Sequence, residues 1–147
     1  MDTTTLATLA GLALSAFTSA TVLPGTSEVA LVGVLALGDV ALWLAVGVAT
    51  AANVAGSVVN WLIGRFLEGY RDHPRFPVSP ERLARTQAMF ARWGSWSLLL
   101  AWTPVVGDPL TVVAGLMRTP LALFLVLVTI AKGARYVVVA LVAQGVL

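Results

Sequence analysis

Two short stretches, Pro24-Gly25-Thr26-Ser27-Glu28 and Pro104-Val105-Val106-Gly107-Asp108, decide how this chain folds. Each interrupts an apolar run with a proline and sets an acid four residues later. Each then enters a short apolar arm holding a glycine, Gly33 or Gly115, and afterwards a full-length apolar run. Proline lacks the amide donor that a continuing helix needs, so Pro24, Gly25, Pro104 and Gly107 read as the bends of two hairpins. Between the bends, residues 40–64 carry neither charge nor proline. That is long enough to cross a hydrocarbon core of about 30 Å, and Trp43 and Trp61 lie near its ends, where interfacial aromatics gather.

The topology follows. If each broken segment dips into the bilayer and returns on its own side, the single span between them makes the hairpins enter from opposite faces. That is an inverted-topology repeat, the plan of many secondary transporters. The expected fold is an all-α membrane protein: two re-entrant helical hairpins in an inverted-topology repeat, braced by transmembrane helices. One membrane domain, residues 1–147, would comprise a first hairpin region (1–39), a transmembrane helix (40–64), a basic loop with an amphipathic helix (65–92), a second hairpin (93–118) and a last transmembrane helix (119–147). Whether residues 3–23 span or only dip stays open.

Composition agrees with a membrane setting and excludes much else. Of 147 residues, 59% are hydrophobic and 11% charged, against about 25% charged in a soluble domain. A soluble fold of this size has too much surface for its volume to hide so much apolar area. Cysteine is absent and His73 is the single histidine, which leaves no thiolate or His-rich metal site. Neither GxxxxGK[ST] nor GxGxxG occurs, so no cofactor is expected and enzymatic chemistry is not. The pI near 9.7 does not indicate nucleic acid. Six of the nine basic residues (Arg65, Arg71, Arg75, Arg82, Arg85 and Arg92) share one stretch with Glu68, Asp72 and Glu81, which reads as a cytoplasmic loop of an inner-membrane protein. The N-terminus lacks the positive region of a signal peptide and is expected to be retained. Ser79-Pro80-Glu81 has the pattern of a helix start. The helix it opens would carry Arg82, Arg85 and Arg92 on one side, with Leu83, Phe90 and Ala91 turned away, either against an anionic leaflet or in solvent.

Charges at membrane depth are the candidate machinery. A carboxylate there costs about 2.5–3.5 kcal/mol on insertion scales and normally serves a purpose. Glu28 and Asp108 are the candidate proton- or ion-coupling groups. Low-dielectric surroundings favour a protonated carboxyl, whereas a nearby half-helix N-terminus favours the carboxylate. Simple capping of the half-helices is the competing role. Lys132 and Arg135 stand three residues apart, on one face of the last helix. They face an acid or an anionic headgroup, which guanidinium can grip with two hydrogen bonds, unless the helix ends near residue 131. Arg118 closes the second hairpin's returning arm. Asn53, Gly56, Asn60 and Gly64 share one side of the span 40–64: the small residues admit a neighbouring helix, and the asparagines could satisfy hairpin backbone or touch substrate.

Taken together, Pro24 to Glu28, Asn53-Val-Ala-Gly56 through Ile63-Gly64-Arg65-Phe66, Trp102-Thr-Pro104-Val-Val-Gly-Asp108, Ala114-Gly-Leu-Met-Arg118 and Lys132-Gly-Ala-Arg135-Tyr136 resemble the DedA family of SNARE-associated, or VTT-domain, membrane proteins. The short YqaA-like branch matches best, over roughly residues 15–140. The resemblance implies the same two-hairpin fold, a role in membrane homeostasis, and proton-motive-force-dependent transport. Bacterial relatives are implicated in returning undecaprenyl phosphate across the inner membrane, and eukaryotic ones in lipid scrambling. By position in the motifs, Glu28 matches the family's essential acid, and Arg118 and Arg135 match basic positions. The chain departs from the family where many members carry Arg-Phe-x-Pro-x-x-Arg, because Ala101 and Gly107 stand at the two arginine places. The resemblance therefore does not carry phosphate recognition to that bend.

The expected function is a proton-dependent transporter or flippase for an anionic lipid or small anion. Protons and membrane lipids, undecaprenyl phosphate among them, are the expected partners, with Arg135, Lys132, Arg118, Asn53 and Asn60 toward the substrate. An energy-independent scramblase and a non-transporting accessory protein are the alternatives. The oligomeric state, a homo-oligomer included, is open.

Overall fold

The computed structural model describes residues 3–21, 26–38, 40–67, 69, 73–76, 78–103 and 107–145. The sequence bends Pro24, Gly25 and Pro104 lie outside the described residues. Long runs of Ala, Leu and Val without proline fold as helix, and every such run does so here. The helices are α1 (Thr3–Thr21), α2 (Thr26–Leu37), α3 (Leu42–Phe66), α4 (Pro80–Trp93), α5 (Gly107–Leu116) and α6 (Leu121–Ala143). A 3₁₀ run, Gly94–Trp102, joins α4 to the second break. No strand occurs among the described residues.

Helices α3 and α6, at 25 and 23 residues, are long and apolar enough to cross a membrane. Helix α3 matches the expected span with its bounds moved two residues toward the C-terminus. Helix α6 does not stop near residue 131: Lys132 is its middle residue, about 16 Å of helix from either end. The two broken segments are not alike. The first pairs a 19-residue helix with a 12-residue one, roughly 28 Å and 18 Å long. The second pairs a nine-residue 3₁₀ run with a ten-residue helix.

The residues divide into two compact units. The first comprises residues 1–56 and 132–147. Its core takes Leu9, Leu12 and Ala16 from α1, Leu31, Val34 and Leu35 from α2, Ala45, Val46 and Ala49 from α3, and Tyr136 and Ala140 from α6. The three- and four-residue steps within each set are the mark of one helix face turned inward.

The second unit, residues 57–131, is built around α5. Apart from half-buried Asp108, every residue from Gly107 to Leu116 is buried. Helix α5 packs on α4 and on the 3₁₀ run, and it meets α3 backbone to backbone. A Cβ at Gly64 would run into the Val112 carbonyl, and one at Gly115 into the Trp61 carbonyl. The small-residue side of α3 is thus a packing surface, as the sequence expects, and Trp61 Nε1 fastens its end by donating to the Thr119 carbonyl at 3.0 Å. Helix α4 starts as expected: Ser79 caps it, accepting from the Arg82 N–H, with Pro80 opening the first turn. Leu83, Thr86 and Phe90 are its buried face. Ala91 is exposed rather than turned inward, because it lies about 100° around the helix from Phe90.

The glycine contact is directly testable. Gly64→Ala should destabilise the folded chain by about 1–3 kcal/mol in a reversible unfolding titration. Gly47→Ala, on the same helix with nothing within 4 Å of the added methyl, should be neutral or stabilising.

A buried charged cluster as candidate functional site

Helix α6 buries Phe124, Leu127, Val128 and Ala140, yet it departs from a helix in water. Val126, Ile130, Val138 and Val142 face outward, while Lys132 and Tyr136 are buried. Aliphatic side chains outside and polar ones inside suit hydrocarbon as the surrounding solvent, where polar groups find partners only within the protein.

Several buried polar groups of the first unit meet one from another helix. Arg135 Nη2 lies 2.7 Å from Glu28 Oε1, and the two side chains are 26% and 18% exposed. The neighbouring residues repeat the contact. Tyr136 donates from its hydroxyl to Ser27 Oγ at 2.7 Å, and Ser27 Oγ donates to Glu28 Oε1 at 3.2 Å. One turn earlier on α6, Lys132 Nζ donates to Asn53 Oδ1 at 2.6 Å. Asn53 Nδ2 in turn donates to the Ala16 carbonyl at 2.6 Å. One amide thereby links α6, α3 and α1.

The second unit holds the other asparagine. Asn60 Nδ2 donates to Thr111 Oγ1 at 3.2 Å, and Thr111 donates to the Asp108 carbonyl at 2.6 Å. Asp108 is half-buried in the first turn of α5. Arg118, at the far end of α5, is exposed. Its backbone takes a left-handed turn, φ 59°. Its N–H bonds the Gly115 carbonyl, and the Thr119 N–H bonds the Ala114 carbonyl, a Schellman helix ending that usually carries glycine.

Of the residues singled out by sequence, Glu28 and Arg135 are thus joined directly, and Lys132 and Asn53 form a second pair in the same unit. Asn60 and Asp108 belong to the other unit and are linked there through Thr111. Asn53 reaches a carbonyl inside α1, and Asn60 a threonine hydroxyl. Gly107 is buried, and a Cβ there would strike the Ala101 carbonyl. An arginine is therefore excluded at this position of the bend, which agrees with the departure from the family pattern. Ser27, Tyr136 and Thr111 were not singled out. Ser27 and Tyr136 adjoin Glu28 and Arg135 in the chain, but a hydroxyl in an apolar helix more often bonds its own backbone. Among the described residues no group of three or more His, Cys, Asp or Glu could hold a metal ion.

Two apolar helices of spanning length, with charged side chains paired in the helical interior, define a small helical membrane protein. The chain belongs to the VTT-domain family, with residues 23–144 matched, so the match runs across both units. It is 39% identical over 128 residues to the inner membrane protein YqaA of Escherichia coli, covering 86% of this chain and 84% of that one. The YqaA of Shigella flexneri gives the same figures. An uncharacterized protein of Haemophilus influenzae is 37% identical over 131 residues, 84% of this chain and 80% of that one. No solved structure gives a significant match.

Two substitutions probe these contacts. In a double-mutant cycle, Lys132→Met and Asn53→Leu should show a coupling of about 1 kcal/mol, in the range of interhelical hydrogen bonds in membranes. Arg118→Gly should leave stability unchanged or raise it by up to about 1 kcal/mol, since glycine takes the left-handed turn without a Cβ penalty. Unfolding titrations measure both.

Proposed function

We propose that this chain moves an anionic lipid of the polyprenyl-phosphate kind, or a small anion, across the bacterial inner membrane, driven by protons, and that it is not an enzyme. The observation that carries this reading is the Glu28–Arg135 ion pair at 2.7 Å, well inside a helix of spanning length. Such a pair is costly to keep dry, and an intramembrane acid facing an arginine is a natural place to trade a proton for an anion. Kinship to inner membrane proteins supports the location. The pairing of Pro24 to Glu28 with Pro104 to Asp108 supports two re-entrant hairpins of opposite orientation, with the arginine-rich stretch 65–92 in the cytoplasm.

In this mechanism Glu28 and Asp108 take up and release protons on opposite faces as the hairpins open in turn. Arg135 receives the headgroup, and Lys132, held by Asn53, adds positive charge. Arg118, exposed beyond α5, contributes at the membrane surface, and Asn60 steadies the start of α5 through Thr111.

The test is lipid movement in proteoliposomes. The purified chain is reconstituted with a labelled polyprenyl phosphate, and transbilayer movement is followed with and without a pH gradient. Net movement should follow the gradient in the native protein and fall at least roughly tenfold in Glu28→Gln, the loss expected for a proton-transfer group. Movement indifferent to the gradient would indicate a scramblase. No movement of this lipid or of ordinary phospholipids would indicate an accessory protein.

A further inference from the structure

The arginines of α4 are gathered on one side. At about 100° per residue, Arg82, Arg85 and Arg92 fall within a sector of roughly 80°, and Trp93 lies roughly 20° beyond Arg82, toward the buried face. All four are exposed. The buried face, Leu83, Thr86 and Phe90, is already covered, since α4 packs on α5 and on the 3₁₀ run. The helix therefore cannot lie on a membrane in the ordinary way, apolar side down. We propose that it meets the bilayer with its arginine side instead, and that α4 with the start of the 3₁₀ run is a binding surface for anionic phospholipid. Arg85 and Arg92 take the headgroup phosphate, and Trp93 and Trp96 rest against the glycerol and the upper acyl chain.

Position, charge and shape favour a lipid over plain water or a protein partner. Helix α5 meets α3 over its last turns: Asn60 bonds Thr111, and Gly64 and Gly115 let the two backbones touch beside Trp61 and Arg65. Helix α4, packed on α5, is thereby held beside the end of a helix long enough to span, at the depth where headgroups lie. Three arginines stand against one acid on α4, Glu81, so this side attracts anions. The Arg92 guanidinium lies 5.2 Å from the centroid of the Trp93 ring. At the end of α3, Arg65 repeats the arrangement over Phe66 at 5.0 Å. Trp93, Trp96 and Phe66 are 58%, 71% and 67% exposed. A cation set against an exposed ring offers places for a phosphate and for hydrocarbon side by side. A phospholipid fills both, whereas free phosphate fills one, and indoles favour the membrane–water interface. The surface lies in the second unit and the Glu28–Arg135 pair in the first, so it is a second place for lipid, apart from the transport reading.

The test measures which lipid gathers at α4. The full chain is placed in phosphatidylcholine nanodiscs that also hold either phosphatidylglycerol or phosphatidylcholine brominated in its acyl chains. Quenching of tryptophan fluorescence then gives the relative affinity for the two headgroups. The native chain should favour phosphatidylglycerol. Each arginine removed should lower that preference roughly fivefold, the factor for about 1 kcal/mol per basic residue at an anionic surface. Arg85→Gln combined with Arg92→Gln should thus nearly abolish it, whereas Arg75→Gln, at an exposed position outside α4, should leave it unchanged. Trp93→Phe combined with Trp96→Phe should remove the extra quenching by phosphatidylglycerol. On the native chain, modification of Arg85 and Arg92 by phenylglyoxal, followed by mass spectrometry, should slow severalfold when phosphatidylglycerol is present, with Arg75 as the internal reference.

Equal affinity of the native chain for both headgroups overturns the proposal. So does a preference that survives the loss of both arginines, because the lipid then gathers elsewhere on the chain. Arg85 and Arg92 reacting equally fast in both lipids would assign this side of α4 to water or to another protein and overturn the lipid surface. A preference lost with the arginines, but extra quenching kept without Trp93 and Trp96, would overturn the part given to the indoles. Glu28 and Arg135 are untouched throughout, so proton-driven lipid movement stands or falls separately.

Discussion

A charge inside a bilayer has no water to fall back on, and the bond between Glu28 and Arg135 is this chain's answer to that constraint. The ion pair does not explain itself as a source of stability, because desolvating both groups offsets much of their attraction. Its effect is on arrangement. Once an arginine sits well inside α6, a partner must be brought to it, and the start of α2 is where that partner can come from. Ser27 and Tyr136 then follow, because a carboxylate has more lone pairs than one guanidinium nitrogen fills.

The same constraint explains why polar side chains are found in the interior at all. In a soluble domain Lys132 would point outward and Val138 inward. Here the aliphatic faces meet lipid, and specificity of packing has to come from small residues and side-chain amides. Helix α3 supplies both: Asn53 works within the first unit, whereas Asn60 and Gly64 work within the second. The 25-residue helix thus carries Asn and Gly contacts in both units.

Much of this was legible without coordinates. Apolar length gave α3 and α6, since the thickness of a bilayer sets a hard minimum. The start of α4 was legible because Ser-Pro-Glu satisfies local rules that need no tertiary partner. Glu28 and Arg135 stood out because charges are scarce in such a sequence. Their pairing did not, because Arg135 faced Glu28, Asp108 or a substrate equally well on paper. The 3₁₀ form of residues 94–102 was also illegible, since an apolar run has the same composition in either helix. The unequal arms of the two broken segments followed from that: a proline marks where a helix stops and says nothing of how far back it began.

That 3₁₀ run has a consequence for the tryptophans. With three residues per turn, side chains three apart eclipse one another, so Trp96 and Trp102 fall in one row, set off from Trp93 by the non-helical Gly94 (φ 64°, ψ −152°). Both are exposed. Wound as an α-helix, the same two residues would stand about 120° apart around the cylinder. The tighter winding that weakens the backbone's hydrogen bonds thus lines up two indoles along a single edge, about 12 Å apart.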